Sequence, residues 1–153
     1  MIKNYTSSIA AARSISFIEA KLVHHGARQV LKLYDENKTI TGLCFIINTN
    51  GKDMPFKLPA RVDDCERILK ANLSKRTRPE TFAKIREQAE RTAWKIVSDW
   101  VEAQMAMIEL AQVEVMEVFL PYLYNHSQQQ TYFEMLKTNN YKALPAAMGG
   151  TQQ

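Results

Sequence analysis

The longest periodic segment of the chain runs from residue 79 to residue 120, with no glycine and no internal proline. Its apolar residues recur every three or four positions, which is the spacing of a helix. One stripe passes through Phe82, Ile85, Ala89, Ala93, Ile96, Trp100, Ala103, Met107 and Leu110, and a second through Trp94, Val97, Val101, Met105, Ile108, Val115 and Phe119. A single helix of this length would span roughly 60 Å at about 1.5 Å per residue. We therefore expect residues 79–120 either to break or to project towards a partner.

The segment that opens the chain also has helical periodicity. Residues 6–25 are predicted to form a helix, with Thr6, Ser7 and Ser8 as candidate N-cap residues and Gly26 beyond its end. Ser14 or Ser16 could instead cap a shorter helix, so the pattern leaves the start of this helix open.

Three short strands are predicted next, at residues 29–34, 39–48 and 52–58. The middle segment holds Leu43-Cys44-Phe45-Ile46-Ile47, which is apolar on both faces and predicts a central strand. Asn50-Gly51 is a strong hairpin signal, so the second and third strands should pair directly. Pro55 cannot donate a ladder hydrogen bond, which favours an edge position for the third strand.

The fold class that follows is α+β. A second helix is predicted from Asp63 to Leu73, a basic connector at 74–78, the long helical segment at 79–120, and a short helix at about 129–137. We expect an N-terminal helix, a three-stranded antiparallel meander and a long helical C-terminal half. Residues 1–144 should form one domain, and residues 145–153 a flexible tail.

The composition is that of a globular protein and indicates in which cellular compartment the protein is expected. Apolar residues make up 46% of the 153 residues and charged residues 24%. No apolar run approaches the roughly 20 residues of a membrane span, and the start of the chain has no signal-peptide core. Two cysteines, Cys44 and Cys65, are too few for a disulfide framework. We expect a cytoplasmic protein with reduced thiols and no membrane partner.

Positive charge is concentrated in the middle of a mildly basic chain. The net charge is +4 and the isoelectric point about 9.1. Five basic residues and no acidic residue lie between residues 67 and 78, a composition that suits backbone phosphates. The predicted nucleic-acid-binding residues are Arg67, Lys70, Lys75, Arg76, Arg78, Lys84 and Arg91. The alternative is an ordinary solvated surface with i, i+4 pairs, Glu87 with Arg91 and Arg86 with Glu90.

Residues 94–119 of the long segment are apolar on more of the circumference than a surface helix requires. Trp94 and Trp100 are six residues apart, so they should face different neighbours, one of them the sheet. Self-association would cover the remaining apolar surface, and the predicted interface residues are Trp94, Trp100, Met107 and Phe119. The rival explanation is that the C-terminal helix folds back over the segment.

No catalytic, cofactor or metal site is predicted. Adjacent residues on a helix point about 100° apart, so His24 and His25 are poorly placed to share a ligand. Asp63, Asp64 and Glu66 could bind a divalent ion, but at a predicted helix start they are explained by capping and by the helix dipole.

The order of one helix, three antiparallel strands and a further helix resembles the double-stranded-RNA-binding domain over roughly residues 8–95. That family places lysines at the start of its last helix, near the positions of Lys75, Arg76, Arg78 and Lys84 here. The lysine motif of the family is missing from this chain, and the helix is much longer. The resemblance therefore concerns topology alone.

A second resemblance covers most of the chain. The strings at 57–61 (KLPAR), 87–104 (EQAERTAWKIVSDWVEAQ) and 119–123 (FLPYL) look like those of small phage and prophage proteins of unassigned function. This resemblance implies a phage setting and transfers no residue role.

The function predicted from these observations is a non-enzymatic, oligomeric phage protein that binds nucleic acid through backbone phosphates. The alternative is a phage inhibitor of a host defence system, which binds a host protein or sequesters a nucleotide in an intersubunit cleft lined by Arg and Trp.

Overall fold

The computed structural model describes residues 2–74 and 76–147. Helix α1 (Ala11–His24) leads into strands β1 (Ala27–Tyr34), β2 (Ile40–Thr49) and β3 (Lys52–Pro59). Helices α2 (Val62–Ala71) and α3 (Pro79–Glu109) follow, and then α4 (Val115–Phe119) with a 3-10 turn at Leu120–Tyr122. A hairpin of β4 (Tyr124–Asn125) and β5 (Gln130–Thr131) precedes α5 (Tyr132–Thr138). The predicted α+β class and element order are confirmed.

The three-stranded sheet has the order β1-β2-β3, with both pairs antiparallel. The prediction that the middle strand is central is therefore confirmed, and so is the edge position of β3. Asn50 and Gly51, both with positive φ, make the two-residue turn that joins β2 to β3. Phe56 of β3 forms one antiparallel bridge with Leu123, so the C-terminal part of the chain covers this edge of the sheet.

Only one face of the sheet is covered by helices. Leu43, Phe45 and Ile47 of β2 alternate onto this face and are buried together with Phe56 and Leu58 of β3. On the opposite face Cys44 and Ile46 are half-buried, and Leu31 of β1 leaves 61% of its surface exposed. The apolar character on both sides of β2 thus reflects one packed face and one open face in the described part of the chain.

Helix α3 is joined to the sheet by a tryptophan. Trp94 is only 1% exposed, and its indole Nε1 donates a 3.1 Å hydrogen bond to the carbonyl oxygen of Ile40 at the start of β2. Buried indole nitrogens need such a partner, so this bond fixes how the helix lies against the strand.

A non-helical N-terminal segment, residues 2–9, lies across α3, and we call it the strap. Thr92 Oγ1 donates to the carbonyl oxygen of Asn4 at 2.9 Å, and Gln88 Nε2 donates to that of Ser7 at 3.2 Å. The strap has turn and irregular backbone, with Asn4 in a left-handed conformation at φ of 62°. Helix α1 begins at Ala11, so the predicted start at residue 6 is wrong, and so is the alternative cap at Ser14 or Ser16, which lie inside the helix.

The predicted helical segment of residues 79–120 is not one continuous helix, and of the two alternatives, a break or a projection, the structure shows the break. Helix α3 ends at Glu109, and Ala111 adopts a left-handed conformation with φ of 56°. The amide of Gln112 donates to the carbonyl of Met107 at 2.9 Å, and that of Ala111 to Ile108 at 3.0 Å. This is a Schellman motif with alanine where glycine is usual, so no glycine marked the stop.

The fold-back after α3 buries Phe119. Its side chain is 0% exposed and its ring lies 5.3 Å from Phe45, 5.9 Å from Phe56 and 5.8 Å from Trp100. Glu114 and Glu117 form a capping box that starts α4 and orients this turn. Burial of a phenylalanine is worth roughly 2 kcal/mol, which offsets the cost of breaking the helix.

The predicted C-terminal helix is present with shifted bounds, because the small hairpin of β4 and β5 occupies the residues before Tyr132. Thr131 caps α5 and accepts a bond from the amide of Glu134 at 3.2 Å. Of the predicted tail, residues 145–147 have no regular structure, and residues 148–153 lie outside the described residues.

Ala111→Gly is expected to stabilise the protein, because glycine carries no Cβ penalty in the left-handed region. The expected gain in the free energy of unfolding is about 0.5–1 kcal/mol, since the greater flexibility of the unfolded chain offsets part of it. Denaturant unfolding measures it. The matched control is Ala106→Gly in the exposed interior of α3, which should lose about 1 kcal/mol. Destabilisation by both substitutions would contradict the assigned helix end.

Asp99→Asn is expected to weaken the attachment of the strap in a pH-dependent way. Partial burial favours a higher pKa, but hydrogen bonds from Lys3, Lys95 and Asn4 together hold the pKa of Asp99 well below its usual range. Because the pKa of Asp99 is lower in the folded than in the unfolded chain, its carboxylate stabilises the protein at pH values above the unfolded pKa of about 3.9. This contribution is lost as the pH falls towards the folded pKa.

The variant should be less stable than wild type by roughly 1–2 kcal/mol at pH 7, and the gap should narrow below about pH 4. Thermal unfolding from pH 7 to pH 2 measures it, with the exposed Glu102→Gln on the same helix as the control. A difference in stability that stays constant from pH 7 to pH 2 would show that the charge of the Asp99 carboxylate is not what stabilises the strap.

Candidate functional site

The predicted nucleic-acid-binding residues fall into three groups in the structure. Arg67 and Lys70 lie on the exposed side of α2 and hold ion pairs there. Arg76, Arg78 and Lys84 are exposed along the connector and the first turns of α3. Arg91 lies elsewhere, beneath the strap. Lys75 is outside the described residues.

The two basic residues of α2 have acidic partners on the same helix. Arg67 lies 3.2 Å from Asp64 and Lys70 lies 2.7 Å from Glu66. These carboxylates precede the segment 67–78, so a count of charges within that segment overlooked them. The positive charge of α2 is therefore partly compensated.

Arg91 does not belong to the candidate interface. Its Nε donates to the carbonyl oxygen of Ser7 at 3.2 Å, and its guanidinium also donates to Gln88 Oε1 at 2.6 Å. The side chain is half-buried and holds the strap on α3. The predicted pairing of Glu87 with Arg91 is not among the ion pairs of the described residues.

Arg76, Arg78 and Lys84 differ from the other predicted binding residues Arg67, Lys70 and Arg91. They are exposed, and none of them makes an ion pair with a residue that the structure describes. We define the basic ridge as these three residues together with Arg67 and Lys70 of the neighbouring helix.

Arg86, which was predicted only as a partner of Glu90, is the centre of a larger ionic cluster. Its guanidinium contacts Asp63, lies 2.9 Å from Glu66 and 3.7 Å from Asp35, and is 4.0 Å from Glu90. The cluster joins α3 to α2 and to the turn after β1. Bonds from Lys70 and Arg86 lower the pKa of Glu66. The carboxylates that could have bound a divalent ion are thus occupied by cations.

Two of the four predicted interface residues are buried within the chain itself. Trp94 packs on the sheet and Phe119 lies in the aromatic core, so the interface prediction is wrong for both. The chain folds back near Trp100 through Phe119 and Tyr122, whereas the C-terminal helix α5, which the rival explanation placed over α3, packs mainly on β5 and the 3-10 turn. Trp100 contacts Phe119 and Tyr122 of its own chain with 5.8 Å between ring centroids, and Met107 remains half-buried.

A cleft of about 650 Å³ opens beside Trp100, between α2, α3 and the C-terminal segment. Most of its lining is apolar: Ile2, Leu58, Pro59, Cys65, Ile68, Ala93, Ile96, Val97, Trp100, Pro121, Tyr122 and Phe133. Its charged residues are Arg61, Asp64 and Glu134. The lining comes from segments far apart in sequence, so no local motif could have indicated the cleft.

The two acidic residues of the cleft have partners inside the protein. Asp64 is paired with Arg67, and Glu134 Oε1 accepts the backbone amide of Thr131 at 3.1 Å. This backbone bond lowers the pKa of Glu134, although partial burial opposes the shift. Arg61 is exposed at the start of α2 and makes no ion pair with any described residue.

The thiols and imidazoles do not gather into a site. Cys44 lies on the open face of the sheet and Cys65 in α2, and burial raises the pKa of both thiols. His25 contacts the carbonyl of Lys21 through Nδ1 at 2.9 Å and Glu109 through Nε2 at 3.2 Å. Its role in this arrangement is to join the C-terminal ends of α1 and α3.

No protein-family model, no curated protein and no solved structure matches the chain. The resemblance to phage proteins therefore stays a prediction. Within residues 2–74 and 76–147, no helix has the length and apolar character needed to cross a bilayer.

Proposed function

We propose that the protein is a non-enzymatic nucleic-acid-binding protein that contacts backbone phosphates through the basic ridge. The observation that carries the proposal is the exposure of Arg76, Arg78 and Lys84 without an ion pair in the described residues. Three solvated cations that follow one another along a connector and a helix start can each take a phosphate. In the phage setting of the sequence resemblance, the ligand would be phage or host nucleic acid in the host cytoplasm.

The ion pairs on α2 do not prevent this binding. The i, i+3 pair of Arg67 with Asp64 is exposed and contributes little to stability, so Arg67 can exchange its carboxylate for a phosphate. Lys70 can do the same, because Glu66 would keep its bond to Arg86. Guanidinium groups contact phosphate oxygens in a bidentate manner, which favours the arginines of the ridge as anchors. Contacts of this kind carry no sequence information, so binding is expected to be sequence-independent.

Combined neutralisation of Arg76, Arg78 and Lys84 to Gln should weaken binding and reduce its salt dependence. The logarithm of affinity falls with the logarithm of salt by about 0.9 per phosphate contacted on duplex and about 0.7 on single strands. Loss of three contacts should therefore flatten the slope by roughly two to three units. Fluorescence anisotropy with labelled duplex and single-stranded probes measures the slope.

The matched control removes the same charge elsewhere. Arg13, Lys38 and Lys142 are exposed and make no ion pair with described residues, so their combined change to Gln lowers the net charge equally. This control should keep the wild-type slope. An equal loss of affinity in both variants would mean that binding depends on net charge alone. Absence of nucleic-acid binding by the wild-type protein at low salt would overturn the proposal. Capture of a host protein would then favour the inhibitor alternative.

Self-association through the end of α3 is the second part of the proposal. Leu110 leaves 70% of its surface exposed next to the half-buried Met107, and an exposed apolar group of this kind suits a contact between copies. Met107→Glu with Leu110→Glu should shift the mass in light scattering towards a monomer. A wild-type chain that is monomeric at high concentration would contradict this part without affecting the ridge.

A further inference from the structure

The cleft beside Trp100 is a concave feature that the basic ridge does not use. Its volume of about 650 Å³ lies within the range of small-molecule sites, and its lining is predominantly apolar with a few charged groups, as in such sites. It is open to solvent on one side, so a ligand can enter without unfolding the chain.

The walls of the cleft suit a flat ring. Trp100, Tyr122 and Phe133 contribute aromatic side chains, and Phe133 is 45% exposed and thus accessible. The aliphatic residues Ile68, Ile96 and Val97 contribute further lining. Aromatic side chains bind nucleobases by stacking irrespective of sequence, because every base has a π-face.

The cleft holds one guanidinium and two carboxylates. Asp64 is paired with Arg67. Glu134 accepts the backbone amide of Thr131 and keeps its negative charge, and the nearby charge of Arg61 also helps to lower its pKa, so a phosphate would compete with Glu134 for Arg61. Arg61 is the charged lining residue that has no ion partner among the described residues. Its guanidinium can donate two parallel bonds to phosphate oxygens.

We propose that this cleft binds one nucleotide unit, with its base against the aromatic side chains and its phosphate on Arg61. The unit can be a free mononucleotide or one nucleotide of a single strand. The cleft and the basic ridge are neighbours, because Asp64 at the lining is paired with Arg67 of the ridge. The proposal depends on the cleft alone and stands independently of binding at the ridge.

Tryptophan fluorescence tests this proposal directly. Trp100 lines the cleft, whereas Trp94 is buried and bonded to Ile40, so a ligand in the cleft should quench Trp100. Wild-type protein is titrated with AMP, GMP, CMP and UMP, with the matching nucleosides, and with an oligothymidylate. We expect saturable quenching by monophosphates or by the oligomer, and at least tenfold weaker quenching by the nucleosides.

Two substitutions locate the site. Arg61→Gln should weaken monophosphate binding at least tenfold, whereas Arg13→Gln, at an exposed arginine of α1, should leave it unchanged. Trp100→Phe should abolish the quenching, while calorimetry still detects binding because a ring remains. Circular dichroism and thermal unfolding verify that each variant is folded.

The outcomes separate the sources of the ligand and the two sites. Quenching by monophosphates indicates a free nucleotide, and quenching by the oligomer alone that still requires Arg61 indicates a strand. The ridge variant should retain mononucleotide binding, and Arg61→Gln should retain most of the salt-dependent binding of wild type. Absence of quenching by every probe at millimolar concentration overturns the inference. Quenching by nucleotides that Arg61→Gln does not weaken would also overturn it. Decanoate serves as a purely aliphatic anion, and quenching by decanoate but not by nucleotides would overturn the inference too.

Discussion

The structure depends on the covering of α3, a 31-residue helix whose buried positions run from Ile85 to Met105. Helices α1 and α2 both pack along it, Trp94 joins it to the sheet, the strap bonds to it, and the fold-back places Phe119 against Trp100. Each of these segments has little structure to pack against other than α3 and the sheet. The helix is therefore the common surface on which the fold is assembled, and the cleft lies where two of its covers do not meet.

Polar contacts determine how the covering segments are placed. Arg86 joins α3 to α2 and to the turn after β1, and Asp99 joins it to the strap. Burial of apolar surface is non-directional, so it does not by itself fix the angle of one element on another. Charge-assisted hydrogen bonds have defined geometry and supply that direction.

Periodicity predicted the fold well because the strongest signals were local. The two-faced apolar run of β2, the Asn50-Gly51 turn and Pro55 each express a backbone requirement of their own segment, and they gave the sheet order. The end of α3 was missed because it depends on the distant burial of Phe119, and Ala111 gives no local sign of a left-handed turn. A stop of this kind depends on tertiary packing and cannot be read from spacing.

The candidate site was predicted less completely for a similar reason. Charge counting identified Arg76, Arg78 and Lys84, whose exposure follows from a polar connector. It misplaced Arg91, since nothing local indicates that a strap 84 residues earlier would supply an acceptor. The cleft was not predicted at all, because Arg61, Trp100 and Phe133 are brought together only by the complete chain.

The strap is held chiefly through its main chain. Apart from the side chains of Lys3 and Asn4, the bonds from α3 end on the carbonyl oxygens of Asn4 and Ser7, which every amino acid possesses. Outside Ile2, Lys3 and Asn4, whose side chains contact the core or Asp99, natural variation should change composition freely but preserve spacing, since one inserted or deleted residue would move both acceptors out of phase. In an alignment of related chains most of the segment would look unconserved and yet be constant in length, a form of constraint that identity scores do not detect.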